Sequence, residues 1–203
     1  MLDCFALLEQ SRRPWLDPET LKQKFLAASA AVHPDRVHEA PPDARQSAQA
    51  RYTDLNTAYN RLREPRDRLR HLLELELGVR PPDVQPIPQH LVDLFMEISS
   101  LTREADAMLK EQAAISSPLI KVQFFERAQE MIAKLTTLQQ QLRSHTDGLL
   151  AELKQIDADW VSVPAEPQAR RPLLLRLEQL YPLLGYFGRW SSQIQERIVR
   201  LSF

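Results

Sequence analysis

Apolar residues recur at three- and four-residue spacing along most of the chain, the period of a helix with one buried face. Leu21, Phe25, Ala28 and Val32 form one such face. Ala48, Tyr52, Leu55, Tyr59 and Leu62 form a second. A short run with Phe5, Leu7 and Leu8 precedes them and is expected to end at Arg12-Arg13-Pro14. Residues 68–77 give a fourth helical piece, closed by Gly78. Alternating β-branched runs, the mark of half-buried strands, are nearly lacking, so the pattern predicts an all-α chain.

Prolines mark the joints. Asp17-Pro18-Glu19 reads as a helix start, with Asp17 as cap and Pro18 at the first helical position. Arg63-Glu64-Pro65 breaks the third run. Pro81, Pro82, Pro86 and Pro88 stiffen residues 79–88 into a linker between a domain at 1–78 and a second at 89–203. The second domain reads as an elongated three-helix bundle. Its first helix is expected over 89–114. The next starts at Ser117-Pro118 and draws its apolar set from Leu119, Val122, Phe125, Ile132, Leu135, Leu138, Leu142, Leu149, Leu153 and Ile156. A proline-bearing turn is placed at 159–172, with Asp157 and Asp159 solvated beside Trp160. The last helix, 173–201, is expected to kink near Pro182. Its Tyr181, Tyr186, Phe187 and Trp190 are candidates for contact or core, and their helical spacing favours core.

One joint carries chemistry. In Val32-His33-Pro34-Asp35-Arg36, Pro34 fixes its own φ and pushes His33 out of the α region. The helix has to stop near Val32, leaving His33, Asp35 and Arg36 on a loop between two helices. Such a loop suits contact rather than packing.

Composition narrows the classes. The net charge of −1 over 203 residues argues against nucleic-acid binding by bulk charge. Cys4 is alone, so neither a disulfide framework nor a cysteine metal cage is expected. The five histidines lack metal spacing, and His33 with His38 and Glu39 makes a poor ligand set. No cofactor is implied. There is no nucleophile–base set and no phosphate-cradling glycine loop, so an enzyme is not expected. No apolar run reaches the roughly 20 residues of a membrane span. The N-terminus lacks the features of a signal peptide, which makes the cytoplasm the expected location.

Four helices with His33-Pro34-Asp35 between the second and third resemble a J-domain. The run Tyr52, Leu55, Asn56, Ala58, Tyr59, Leu62, Pro65 and Arg68 resembles that family's third helix and its exit. Leu62-Arg63-Glu64-Pro65 followed by Arg68 and Leu72-Leu73 narrows the resemblance to co-chaperones of the HscB iron–sulfur-cluster type. Leu94-Phe95-Met96-Glu97 resembles the start of that type's helical client-binding domain. The resemblance implies docking on a DnaK/HscA-type ATPase chaperone through His33, Pro34, Asp35 and Arg36, with Lys22 and Lys24 as nearby charge. Asp35 would pair with an arginine of the partner. The chain departs from the family at Ala27-Ala28-Ser29-Ala30-Ala31, where basic residues are usual, so electrostatic steering is expected to be weaker.

The wheel of 89–114 supplies the second candidate surface. Leu91, Leu94, Ile98, Leu101, Ala105 and Leu109 share one side. Val92, Met96, Ser99 and Arg103 fall opposite, with Phe95 at the margin. An apolar pair on a polar face points to a contact, and methionine adapts to partners. The resemblance implies that Phe95, Met96, Ser99, Ser100 and Arg103 meet an IscU-like scaffold protein. Ser99, Ser100 and Arg103 replace a larger apolar residue and two acidic ones, which leaves the client open. Val92 and Met96 packing inside the molecule is the other reading. Two functions remain: a co-chaperone delivering a client, or a structural interaction protein with a degenerate J-domain.

Overall fold

The computed structural model describes residues 2–36, 41–82, 86–115 and 117–202. His38, Glu39 and residues 83–85 of the expected linker lie outside them, as does the side chain of Leu119. Seven α-helices and two short 3-10 turns make up the described residues, with no strand among them. They are α1 (Cys4–Leu7), α2 (Pro18–Ala31), α3 (Pro42–Arg63), α4 (Pro65–Leu77), α5 (Val92–Ala114), α6 (Pro118–Ser162) and α7 (Pro167–Leu201). The expected all-α class is the observed one.

Local chemistry sets most helix ends. Asp17 caps α2 by accepting from the Thr20 N–H at 2.8 Å, and Pro18 follows at the first helical position. Pro65 starts α4 three residues earlier than its apolar pattern predicts. Gly78 ends it at φ 71°, a left-handed conformation that glycine adopts without strain. The first helix is shorter than expected. Asp3 caps it, and Glu9 turns to φ 51° well before Arg12.

The chain forms two compact units that do not follow the 1–78 and 89–203 division along the sequence. The first comprises Met1–Pro82 with Ala151–Tyr181, and the second Asp83–Leu150 with Pro182–Phe203. Both α6 and α7 run through both units.

In the first unit, Phe5, Leu8, Leu21, Leu55, Leu62, Leu69, Leu72 and Leu73 are essentially inaccessible. Leu153, Ile156, Trp160, Leu173, Leu174 and Leu177, from the end of α6 and the start of α7, are buried too. Polar ties join these segments. Asp157 is buried and accepts from Arg13 Nε at 3.1 Å, from Arg13 Nη2, and from the Trp15 N–H at 3.1 Å. Trp160 Nε1 donates to the Arg12 carbonyl at 2.9 Å. Buried Arg68 donates to the Pro14 and Leu62 carbonyls and lies 5.5 Å from the Trp15 ring. Burial lowers its pKa to about 10, while Asp157 and Glu64 act in the opposite sense. The expectation that Asp157 is solvated in a turn is therefore corrected. The α6 helix continues to Ser162, and the turn occupies 163–166. Asp159 is also helical and lies 3.7 Å from Arg176.

His71 is a further buried polar anchor. Its Nε2 accepts from the Cys4 N–H at 3.0 Å, and its ring stacks on Phe5. Protonation would occur at the nitrogen that already faces this N–H. Burial and the Arg61 charge push its pKa below the ordinary 6.5. The unfolded chain therefore binds more protons at this residue below pH 6.5. Stability is full above that pH and falls as pH drops through it, by up to about 1.4 kcal/mol per unit. Urea midpoints between pH 7.5 and 5 are expected to show this slope, and His71→Gln to flatten it. An unchanged slope in the variant would assign the acid sensitivity elsewhere.

In the second unit, Phe124, Ala128, Met131, Leu135, Leu138 and Leu142 of α6 form a seam with Ile98, Ala105 and Leu109 of α5 and Phe187, Trp190 and Ile194 of α7. This corrects the expected placement of Val122 and Phe125, which are 62% and 59% exposed. The four-three repeat enters through Phe124 rather than its neighbour. Arg197 Nη2 bonds Asp106 at 2.8 Å, and Arg127 grips Glu111 in a two-pronged pair. The helical assignment of α7 is unbroken through Pro172, Pro182 and Gly185.

Candidate functional site

The described segment that follows α2 is a short turn. Val32 caps the helix through a bond to the Ser29 carbonyl, and Pro34–Arg36 then forms one 3-10 turn. The Arg36 N–H closes it on the His33 carbonyl at 2.9 Å. The His33 ring meets Tyr52 of α3 edge-on, with centroids 5.5 Å apart. His33 Nδ1 accepts from the Asp35 N–H at 3.3 Å, and Asp35 Oδ2 lies 3.5 Å from the same nitrogen. The Asp35 side chain is 89% exposed. His33 thus anchors the turn on α3 and Asp35 projects from it. A carboxylate held this way suits a charged donor with little ordering cost.

The basic residues named beside this tip are placed differently from one another. Lys22 is exposed. The Lys24 ammonium folds back to donate to the Glu9 carbonyl. Arg36 Nη1 reaches the Ala30 carbonyl at 3.4 Å, at the negative end of the α2 dipole. The sequence pattern missed Leu26, which is 53% exposed on the outer side of α2. Its signal was its position off the Leu21, Phe25 and Ala28 face.

On α5, Ile98, Thr102, Ala105, Met108 and Leu109 are buried, while Leu94 and Leu101 are half-buried against the core. Met96 is 56% exposed, and Ser100 and Arg103 are exposed too. Ser99 is half-buried, with its carbonyl accepting from Arg103 Nε at 3.1 Å. Phe95 packs against the core, 6.2 Å from the Trp190 ring. The five candidates divide: Met96, Ser100 and Arg103 are presented, Ser99 partly so, and Phe95 supports them from below. Tyr181, Tyr186, Phe187 and Trp190 are buried, as their spacing predicts.

No protein-family profile matches the chain. A co-chaperone protein HscB homolog from Bordetella petrii is 30% identical over 151 residues, which span 74% of this chain and 79% of that protein. The chain belongs to the HscB co-chaperone family. The HscB homolog of Bordetella pertussis is 40% identical over 72 residues, and this match spans only 42% of that relative. Among solved structures, the human co-chaperone HscB aligns with a TM-score of 0.63 at 18% identity, covering 98% of this chain and 81% of that one. Chaperone HscB from Vibrio cholerae aligns with a TM-score of 0.57 at 20% identity, covering 96% of each. These two likenesses establish the fold. The tip between α2 and α3 carries His33, Pro34 and Asp35 in this fold. Among the described residues no group of three His, Cys, Asp or Glu side chains could hold a metal, and no helix is long and apolar enough to cross a membrane.

Proposed function

We propose that this chain docks through His33, Pro34 and Asp35 on a DnaK- or HscA-type ATPase chaperone, stimulates its ATP hydrolysis, and delivers a client held on α5. The observation that carries the reading is the exposed Asp35 carboxylate on a turn pinned to α3 by His33. Membership of the HscB family supports a co-chaperone role. An iron–sulfur scaffold protein of the IscU kind is the client that the family favours. Met96 would anchor it, with Ser100 and Arg103 as polar contacts at its rim and Phe95 holding the turn in place.

The test measures hydrolysis by the host's DnaK-type chaperones with the chain, with the scaffold protein, and with both. The chain alone is expected to accelerate hydrolysis, and the pair to accelerate it further. If no chaperone of the host responds, the docking reading fails. Met96→Asp addresses the client half. Burying a methionine stabilises a contact by about 1.5–3 kcal/mol, so the variant is expected to bind scaffold about tenfold to a hundredfold more weakly. Its stimulation without scaffold should be unchanged, because Met96 lies on α5 and is exposed. Wild-type scaffold affinity in Met96→Asp would exclude this face.

A further inference from the structure

In the second unit, α6 and α7 share a further stripe beside their buried seam. On α6, Val122, Phe125, Gln129, Ile132, Thr136 and Gln139 recur at three and four residues. On α7, Gly188, Ser192, Gln195 and Val199 do the same, continued by Ser202. This is the spacing of helices that pack lengthwise on other helices. The two rows lie side by side. Gln139 Nε2 donates to Gln195 Oε1 at 2.7 Å, and Phe125 and Ser202 line one cavity of about 360 Å³. Val122, Phe125 and Val199 are 62%, 59% and 45% exposed. Gln129, Ser192 and Gln195 are exposed as well, while Ile132, Thr136 and Gln139 are half-buried. No position of either row is charged. Glu126, Arg127, Glu130 and Lys134 of α6 fall off the stripe, and Arg143, the next step of the repeat, closes it.

We propose that this stripe is where a second copy of the chain docks, with α6 and α7 of one copy against α6 and α7 of the other about a two-fold axis. The chemistry of the stripe selects that occupant. A two-fold contact sets a surface against itself, so the surface has to be self-complementary. Charged rows fail wherever like meets like, whereas these rows hold no charge to repel. Their polar side chains are Gln, Ser and Thr, which both donate and accept, so the same groups can satisfy one another across the axis. Val122, Phe125, Ile132 and Val199 supply the apolar contact. A charged partner would give up hydration and find no counter-charge on the stripe. At about 1.5 Å per residue the α6 row runs about 26 Å, and two helices about 10 Å apart give a footprint of roughly 500 Å² on each copy. The total of about 1,000 Å² is the low end for a specific contact, so the dimer is weak, with a dissociation constant on the order of 10–100 μM. The contact does not use the α5 face that carries Met96.

Sedimentation equilibrium of the full-length chain, from about 1 to 500 μM, is the test. Wild type is expected to pass from monomer to dimer with a midpoint on the order of 10–100 μM. Phe125→Glu on α6 and Val199→Glu on α7 each set a carboxylate into the contact, and each should raise that midpoint about tenfold or more. Both side chains are exposed, so both variants should melt like wild type. Met96→Asp, on α5, should keep the wild-type midpoint. A chain that stays monomeric over the whole range overturns the proposal, and so do glutamate variants that dimerise like wild type. If wild type is monomeric while Phe125→Glu weakens binding of the scaffold protein, the stripe takes a client instead of a second copy, and the proposal falls.

Discussion

Asp157→Ala is expected to destabilise the first unit by about 3 kcal/mol, the low end of the range for breaking a buried ion pair from one side. The carboxylate satisfies Arg13 and the Trp15 N–H together. It also offsets the buried charge of Arg68, whose pKa burial has already lowered to about 10. Alanine leaves the Trp15 N–H without this acceptor and leaves Glu64 to offset the Arg68 charge. The Arg13 side chain is 39% exposed and can recover water, which keeps the loss from the upper end of the range. Asp157→Asn retains an acceptor for the Trp15 N–H but not the charge, so an intermediate loss is expected. Trp15 and Trp160 lie beside the site and report its unfolding by fluorescence in urea. A midpoint within error of wild type for Asp157→Ala would mean that this cluster adds no net stability.

The second large effect concerns activity alone. Asp35→Asn preserves the shape of the side chain and removes its charge. The side chain is 89% exposed, so stability should change by less than about 0.5 kcal/mol. A hydrogen bond to a charged group contributes about 1.5–3 kcal/mol, and stimulation of the chaperone should fall by about tenfold or more. Full stimulation by a folded variant would remove Asp35 from the contact. Loss of stimulation together with loss of melting cooperativity would instead mark Asp35 as structural, against its exposure.

The features legible in the sequence are those written within a few residues. Asp17-Pro18, Pro65 and Gly78 set helix ends by local backbone chemistry, and His33-Pro34-Asp35 sets the tip in the same way. The core face of α5 also followed from its period. What escaped was decided at long range or by a choice between equivalent local signals. Asp157 meets Arg13 across 144 residues of sequence, and nothing near Asp157 announces a partner. Pro167 and Pro172 can each open a helix, and the chain uses the first. Phe124 and Phe125 are adjacent, and only packing with α5 and α7 decides which one is buried.

Of the two site surfaces, the tip was the more legible. Its rigidity comes from proline and from the short contact between His33 and Tyr52. The α5 surface depends on which side chains the bundle leaves uncovered. Phe95 shows the difference, since its packing against Trp190 was not visible from a position at the margin of the wheel.

The most direct test of the account is single-turnover ATP hydrolysis by the host's DnaK-type chaperone, followed while full-length wild-type chain and Asp35→Asn are titrated in parallel. The account expects a saturable rise in rate with wild type and a response about tenfold or more weaker with the variant, both proteins melting alike. Superimposable curves, or no response to wild type from any of the host's chaperones, would contradict it.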